Sequence, residues 1–226
     1  MSEPTMAGRP ARRAALVAGA AGPIGFVLIT FVLAAVRHDV IERQGWVSWP
    51  SSMALGGAPG VPMIATFLGL GGCYLAFSLG ALHPAAISRL AVAGYLVTAS
   101  GDLLLAFPTD AVGRATSWHG ALHVTGVVVA TAGTLLVSAG LLAATKGRGA
   151  WRALRPAAAV LAVATLVGIA GGFDVAWAKV VYVVGITLPA AVVPWCLRRA
   201  ARDRRAARDR RERDRREGTA GDEVLT

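Results

Sequence analysis

Charge is what this sequence has least of. Asp, Glu, Lys and Arg make up 16% of its 226 residues, against about a quarter in a soluble domain. That scarcity excludes an ordinary water-soluble fold. Cysteine is nearly absent, with only Cys73 and Cys196. Both fall inside apolar runs, and at 1.5 Å per residue they differ in depth by roughly 10 Å. A disulfide needs Cα atoms within about 7 Å, so two free thiols are expected and a redox role is not. Strands of alternating polarity are missing, which excludes a membrane β-barrel. Acidic residues are few beside basic ones, leaving a net charge of +10. The excess lies in loops and tail, where basic residues orient a membrane protein. No nucleic-acid partner is therefore expected.

What is present is hydrocarbon. Of all residues, 55% are hydrophobic, and Val61–Leu82 and Thr116–Thr145 carry no charged side chain. A helix needs about 20 apolar residues to cross a bilayer core. Six runs meet or approach that length: Ala15–Val36, Val61–Leu82, Leu90–Phe107, His119–Ala144, Ala157–Phe173 and Trp177–Leu197. Helices satisfy their own backbone in lipid. The expected class is all-α: a polytopic membrane protein with a bundle of six transmembrane helices. Residues 1–14 form an N-terminal segment, 15–197 the bundle, and 198–226 a basic tail, partly helical or disordered. The first run is too long for the apolar part of a signal peptide, which spans roughly 7–15 residues. Pro23 within it predicts a kink.

The tail repeats Arg-Arg-Ala-Ala-Arg-Asp in tandem and continues as Arg-Arg-Glu-Arg-Asp. It has no apolar face to bury, so it reads as a solvated segment over anionic lipid headgroups. Counting basic residues orients the chain. The N-terminus, the 81–89 connection, the 145–156 loop and the tail hold 19, and the remaining loops hold 4. The positive-inside rule places both termini in the cytoplasm of a cell with an inner membrane.

Polar groups concentrate at the opposite end. Phe107-Pro108-Thr109-Asp110 is followed by Arg114 and by Trp118-His119-Gly120-Ala121-Leu122-His123. Asp102 is the one carboxylate well inside a run, which is costly in lipid and marks a face turned to protein or water. Asp102 lies about 7.5 Å below Phe107, and His123 about 6 Å below His119. Neighbouring helix axes stand about 8–10 Å apart, so Asp102 and His123 are expected to share an outward-opening pocket. Asp110 and His119 would form its rim, with Arg114, His38, Ser51 and Ser52 at the same end. The first loop also holds Trp46 and Trp49, which suit an interface. Gly69 and Cys73 are expected to allow close helix approach, as is the stripe His119, His123, Gly126, Ala130, Thr134 and Ser138. Such stripes also suit a homo-oligomer.

Three chemistries compete for the polar cluster. Asp102 and His123 suit a proton-linked or headgroup-binding pair. His119 and His123, one turn apart, with Asp102 as a third ligand or base, suit a metal-assisted hydrolase. Haem needs histidines at equal depth on facing helices, and only His38 can face the other two. The alternative to all three is an inter-helix hydrogen bond that orders the bundle. No cofactor is specifically implied.

These residues also carry a resemblance. Phe107-Pro108-Thr109-Asp110, Gly120-Ala121-Leu122-His123, Ser52-Met53-Ala54-Leu55-Gly56-Gly57 and Phe67 with Gly71 resemble motifs of the bacterial domain-of-unknown-function 998 family. The likeness covers roughly residues 15–197. It implies a six-span membrane protein and no established activity. A tyrosine–proline element associated with that family's first loop is replaced by Gly45-Trp46-Val47-Ser48-Trp49-Pro50, and His119 has no counterpart. A distant similarity to the alkaline ceramidase–adiponectin receptor superfamily runs through Asp102 and the paired histidines. That superfamily's third zinc-binding histidine has no match. The leading expectation is a membrane protein binding a small molecule or lipid headgroup. A metal-dependent membrane hydrolase acting on a lipid, and a purely structural or interaction protein, are the alternatives.

Overall fold

The computed structural model describes residues 8–45, 50–82, 88–111, 114–144, 154–170 and 177–199 apart from 179 and 186–191, with 202, 206 and 209–210. Expectations for Trp46, Trp49, the 145–153 part of the loop and the tail beyond 210 fall outside the described residues. Among the described residues every regular element is helical. The described α-helices follow in order: α1 (Gly8–Val36), α2 (His38–Gln44), α3 (Val61–Gly80), α4 (Arg89–Leu105), α5 (Trp118–Ala144) and α6 (Leu154–Ala170). Residues 180–185 and 192–199 are also helical. Among the described residues three helical stretches are long and apolar enough to cross a membrane: Pro10–Val36, Ala58–Gly80 and Trp118–Ala143. Leu154–Ala170 is a shorter apolar helix.

Local chemistry sets the ends. Pro62 sits in the first turn of α3, where its missing N–H would have no intrahelical partner. Ser88 caps α4, its hydroxyl accepting from Ala91 N at 3.1 Å and donating to Gly140 O at 2.8 Å. That hydroxyl therefore caps one helix and ties it to another. Pro23 does not end α1, which runs through it as one element. Several hydroxyls within the helices are spent at home. Thr66, Ser78, Thr98, Thr134, Ser138 and Thr165 each donate to the carbonyl four residues back, which satisfies a polar group where no water reaches.

Small residues decide the packing, and among the described residues α4 and α5 share the most extensive contact. A Cβ added to Gly94 would lie 2.5 Å from Val137 N, and Gly101, Gly133 and Gly140 meet Ala130, Thr98 and Ala91 backbone more tightly still. Ala91, Gly94, Thr98 and Gly101 repeat at alternating three- and four-residue steps, as do Ala130, Gly133, Val137 and Gly140. That spacing holds one face of each helix along the seam. The stripe expected through Gly126 and Ala130 is thus turned inward. The other expected contact shifts. Gly69 has open space around it, whereas Gly71 faces Leu103 and Ala99 on α4 and Cys73 lies against Gly22 on α1. Cys73 and Cys196 are both free thiols. Phe67, Phe77, Tyr95, Met53 and Met63 are fully buried, with the Phe77 and Tyr95 rings edge to face at 5.2 Å.

The segment between α2 and α3 is a compact plug. Residues Ser51–Ala54 and Ala58–Gly60 form single 3-10 turns joined by Gly56 and Gly57 at φ of 89° and 67°. Only residues without a Cβ adopt that conformation at little cost. Arg37 holds the plug from the end of α1. Its guanidinium donates to Met53 O at 2.6 Å, Leu55 O at 3.0 Å and Pro59 O at 3.1 Å.

Candidate functional site

The Phe107–Asp110 segment folds back over the start of α5. Asp110 Oδ2 accepts from Ser117 N at 2.9 Å and Oδ1 from the Ser117 hydroxyl at 2.7 Å. Ser117 Oγ in turn accepts from Gly120 N at 3.1 Å. Ser117 is thus the cap of α5, and Asp110 adds negative charge at the positive helix end. The bonds from the Ser117 hydroxyl and N–H, with attraction from His119 and His123, hold the Asp110 carboxyl below its ordinary range despite some desolvation. His119 Nδ1 donates to Pro108 O at 3.0 Å, and its ring lies 3.9 Å from Asp110.

His123 sits one turn further in and is 2% exposed. Its Nδ1 lies 2.7 Å from Phe107 O and its Nε2 lies 2.8 Å from Ser51 Oγ. The Phe67 ring meets it edge on, with centroids 6.1 Å apart. The direct Asp102–His123 pair anticipated from depth does not form, because both imidazole nitrogens are engaged elsewhere. The other anticipated members also separate. His38 is exposed and faces Glu42 at 3.8 Å. Arg114 is exposed. Ser52 is fully buried, and its hydroxyl has no partner among the described residues. Asp102, His119 and His123 do not gather as ligands. Among the described residues no group of three His, Cys, Asp or Glu side chains is placed to hold a metal.

Asp102 instead lines a cavity of about 410 Å³, within the roughly 300–1,000 Å³ of small-molecule sites. Its wall comes from Phe26 on α1, Pro50 and Ser51 of the plug, Phe67, Leu70 and Tyr74 on α3, Thr98, Asp102 and Leu105 on α4, Val124, Val127, Val128, Ala130 and Thr134 on α5, and Tyr182 and Val183. Along α5 the wall runs from Val124 to Thr134, about 15 Å at 1.5 Å per residue. Val124 and Val128 are 58% and 63% exposed, so the cavity reaches the outer face of that helix. Asp102 is 5% exposed, and its Oδ2 has no partner among the described residues. The polar rim and the cavity are therefore separate. Asp110, His119 and His123 fasten the helix ends, and Asp102 faces the void.

Sequence reasoning missed the aromatic part of the wall. Phe26, Phe67, Tyr74 and Tyr182 come from three different segments. Only Phe67, Leu70 and Tyr74 share a helical period that signals a common face. No protein-family model, curated protein or solved structure matches this chain.

Proposed function

We propose that this chain is a six-span inner-membrane protein, with both termini cytoplasmic, that binds a small amphiphile drawn from the bilayer. The split of basic residues supports the orientation. The resemblance to the domain-of-unknown-function 998 family supports the span count. The binding reading rests on one observation: a cavity of about 410 Å³ with largely apolar walls that reaches the exposed face of α5 at Val124 and Val128. An opening at that place faces hydrocarbon when α5 spans a membrane, so its occupant arrives from the lipid phase. An apolar body fits along Phe67, Leu70 and the valines, and a polar group fits at Asp102.

The test is saturable binding of a fluorescent alkyl amphiphile to the purified protein in lipid nanodiscs. Val127→Trp places an indole in the cavity from a half-buried wall position. We expect saturation with the native chain and an affinity loss of about tenfold or more in the variant. Non-saturable partitioning, equal in both proteins, would remove the reading.

A further inference from the structure

We infer that the occupant of the cavity is an organic ammonium, a molecule joining a protonated amine to an apolar body. This deepens the binding reading and rests on it. Among the described residues, Asp102 is the only carboxylate on the wall, and no Lys, Arg or His side chain lines it. Its Oδ2 is buried without a partner among the described residues. An ionised carboxylate in that position has a large cost until a donor or counter-charge reaches it.

Among the described residues, no other group of the wall bonds that oxygen. Thr98 and Thr134 donate to Gly94 O and Ala130 O at 3.0 and 2.8 Å. The Tyr182 hydroxyl stands 3.2 Å from Thr131 Oγ1. The missing donor therefore comes from the ligand. Four aromatic rings share the cavity with Asp102: Phe26, Phe67, Tyr74 and Tyr182. Aromatic faces attract cations, more strongly where water is excluded. One carboxylate among several rings suits an ammonium on both counts. An anionic head would be repelled by Asp102, and an uncharged chain would leave the carboxylate unpaired. The exposed Val124 and Val128 at the opening admit the apolar part of the molecule from the side.

The experiment displaces the fluorescent amphiphile from the full chain in nanodiscs with three competitors of equal chain length: a primary alkylamine, the alcohol and the carboxylate. We expect the amine to compete at least about tenfold better than the alcohol, the span of one charge-assisted hydrogen bond. The carboxylate should compete worst. Asp102→Asn is close in shape and should erase the advantage of the amine over the alcohol. Asp102→Glu should retain part of it. If the three compete equally in the native chain, or if Asp102→Asn keeps the amine preference, the ammonium inference fails while the cavity reading stands. If the fluorescent amphiphile never saturates, both fall together.

Discussion

His123 Nε2 lies 2.8 Å from the Ser51 hydroxyl while Nδ1 of the same ring lies 2.7 Å from Phe107 O. A carbonyl can only accept, so Nδ1 carries the proton. In the neutral ring Nε2 is then an acceptor, and Ser51 donates to it. One imidazole thus joins the plug after α2 to the end of α4 from a position on α5. Ser51 is also part of the cavity wall. The histidine acts on the cavity by holding that wall in place.

His123→Ala should therefore destabilise the fold by about 2–4 kcal/mol, because two part-buried hydrogen bonds vanish and the Phe107 carbonyl loses its partner. Asp102→Asn should leave stability unchanged or raise it, since it removes a buried ionisable group whose Oδ2 has no partner among the described residues. Thermal unfolding in one detergent compares them. Equal melting temperatures for His123→Ala and the native chain would contradict the tie.

The α4–α5 seam should be intolerant of added bulk. Gly133→Leu drives a side chain into Thr98, and overpacking of this kind costs about 1–3 kcal/mol or more. Gly69→Leu enters open space and should be nearly silent. Resistance to unfolding in a denaturing detergent separates the two. A seam variant as robust as the Gly69 variant would show that the helices do not meet as described.

Asp110 gives the α5 start a pH dependence of known sign. Its folded carboxyl sits below the ordinary value of 3.8. Its contribution to stability is therefore fully present above that value. It is lost as pH falls through the folded value. Asp110→Asn should melt lower than the native chain near neutral pH, and the gap should close as the pH drops below about 4. A gap that stays constant down to pH 3 would rule out the carboxylate as its origin.

Orientation can be read with single cysteines at Gly147 and Thr116, introduced after Cys73 and Cys196 are replaced by alanine. The excess of basic residues around position 147 predicts that it lies in the cytoplasm. An impermeant thiol reagent on intact cells should label position 116 and spare 147. The reverse pattern would invert the orientation.

Much of the helical layout was legible because apolar run length needs no knowledge of neighbours. Val61–Leu82 and His119–Ala144 as apolar runs match α3 and α5 within two residues at each end. The inward stripe at Gly126 and Ala130 was legible too, since small residues at helical spacing serve close packing. The same argument chose Gly69 when the contact belongs to Gly71. Spacing identifies a face but not the neighbour it meets.

The sequence by itself determined the helical class, the apolar helices and the rarity of Asp102, because hydrocarbon length and the cost of a buried charge depend on composition alone. It also placed the acid and the histidines at one end of the bundle. Tertiary structure decided how they are divided. Depth along a helix follows from residue number, but rotation about its axis follows from packing against other segments. Rotation turns His123 to Ser51 and Phe107, and leaves Asp102 facing a void that α1, α3, α4, α5 and residues 182–183 enclose together.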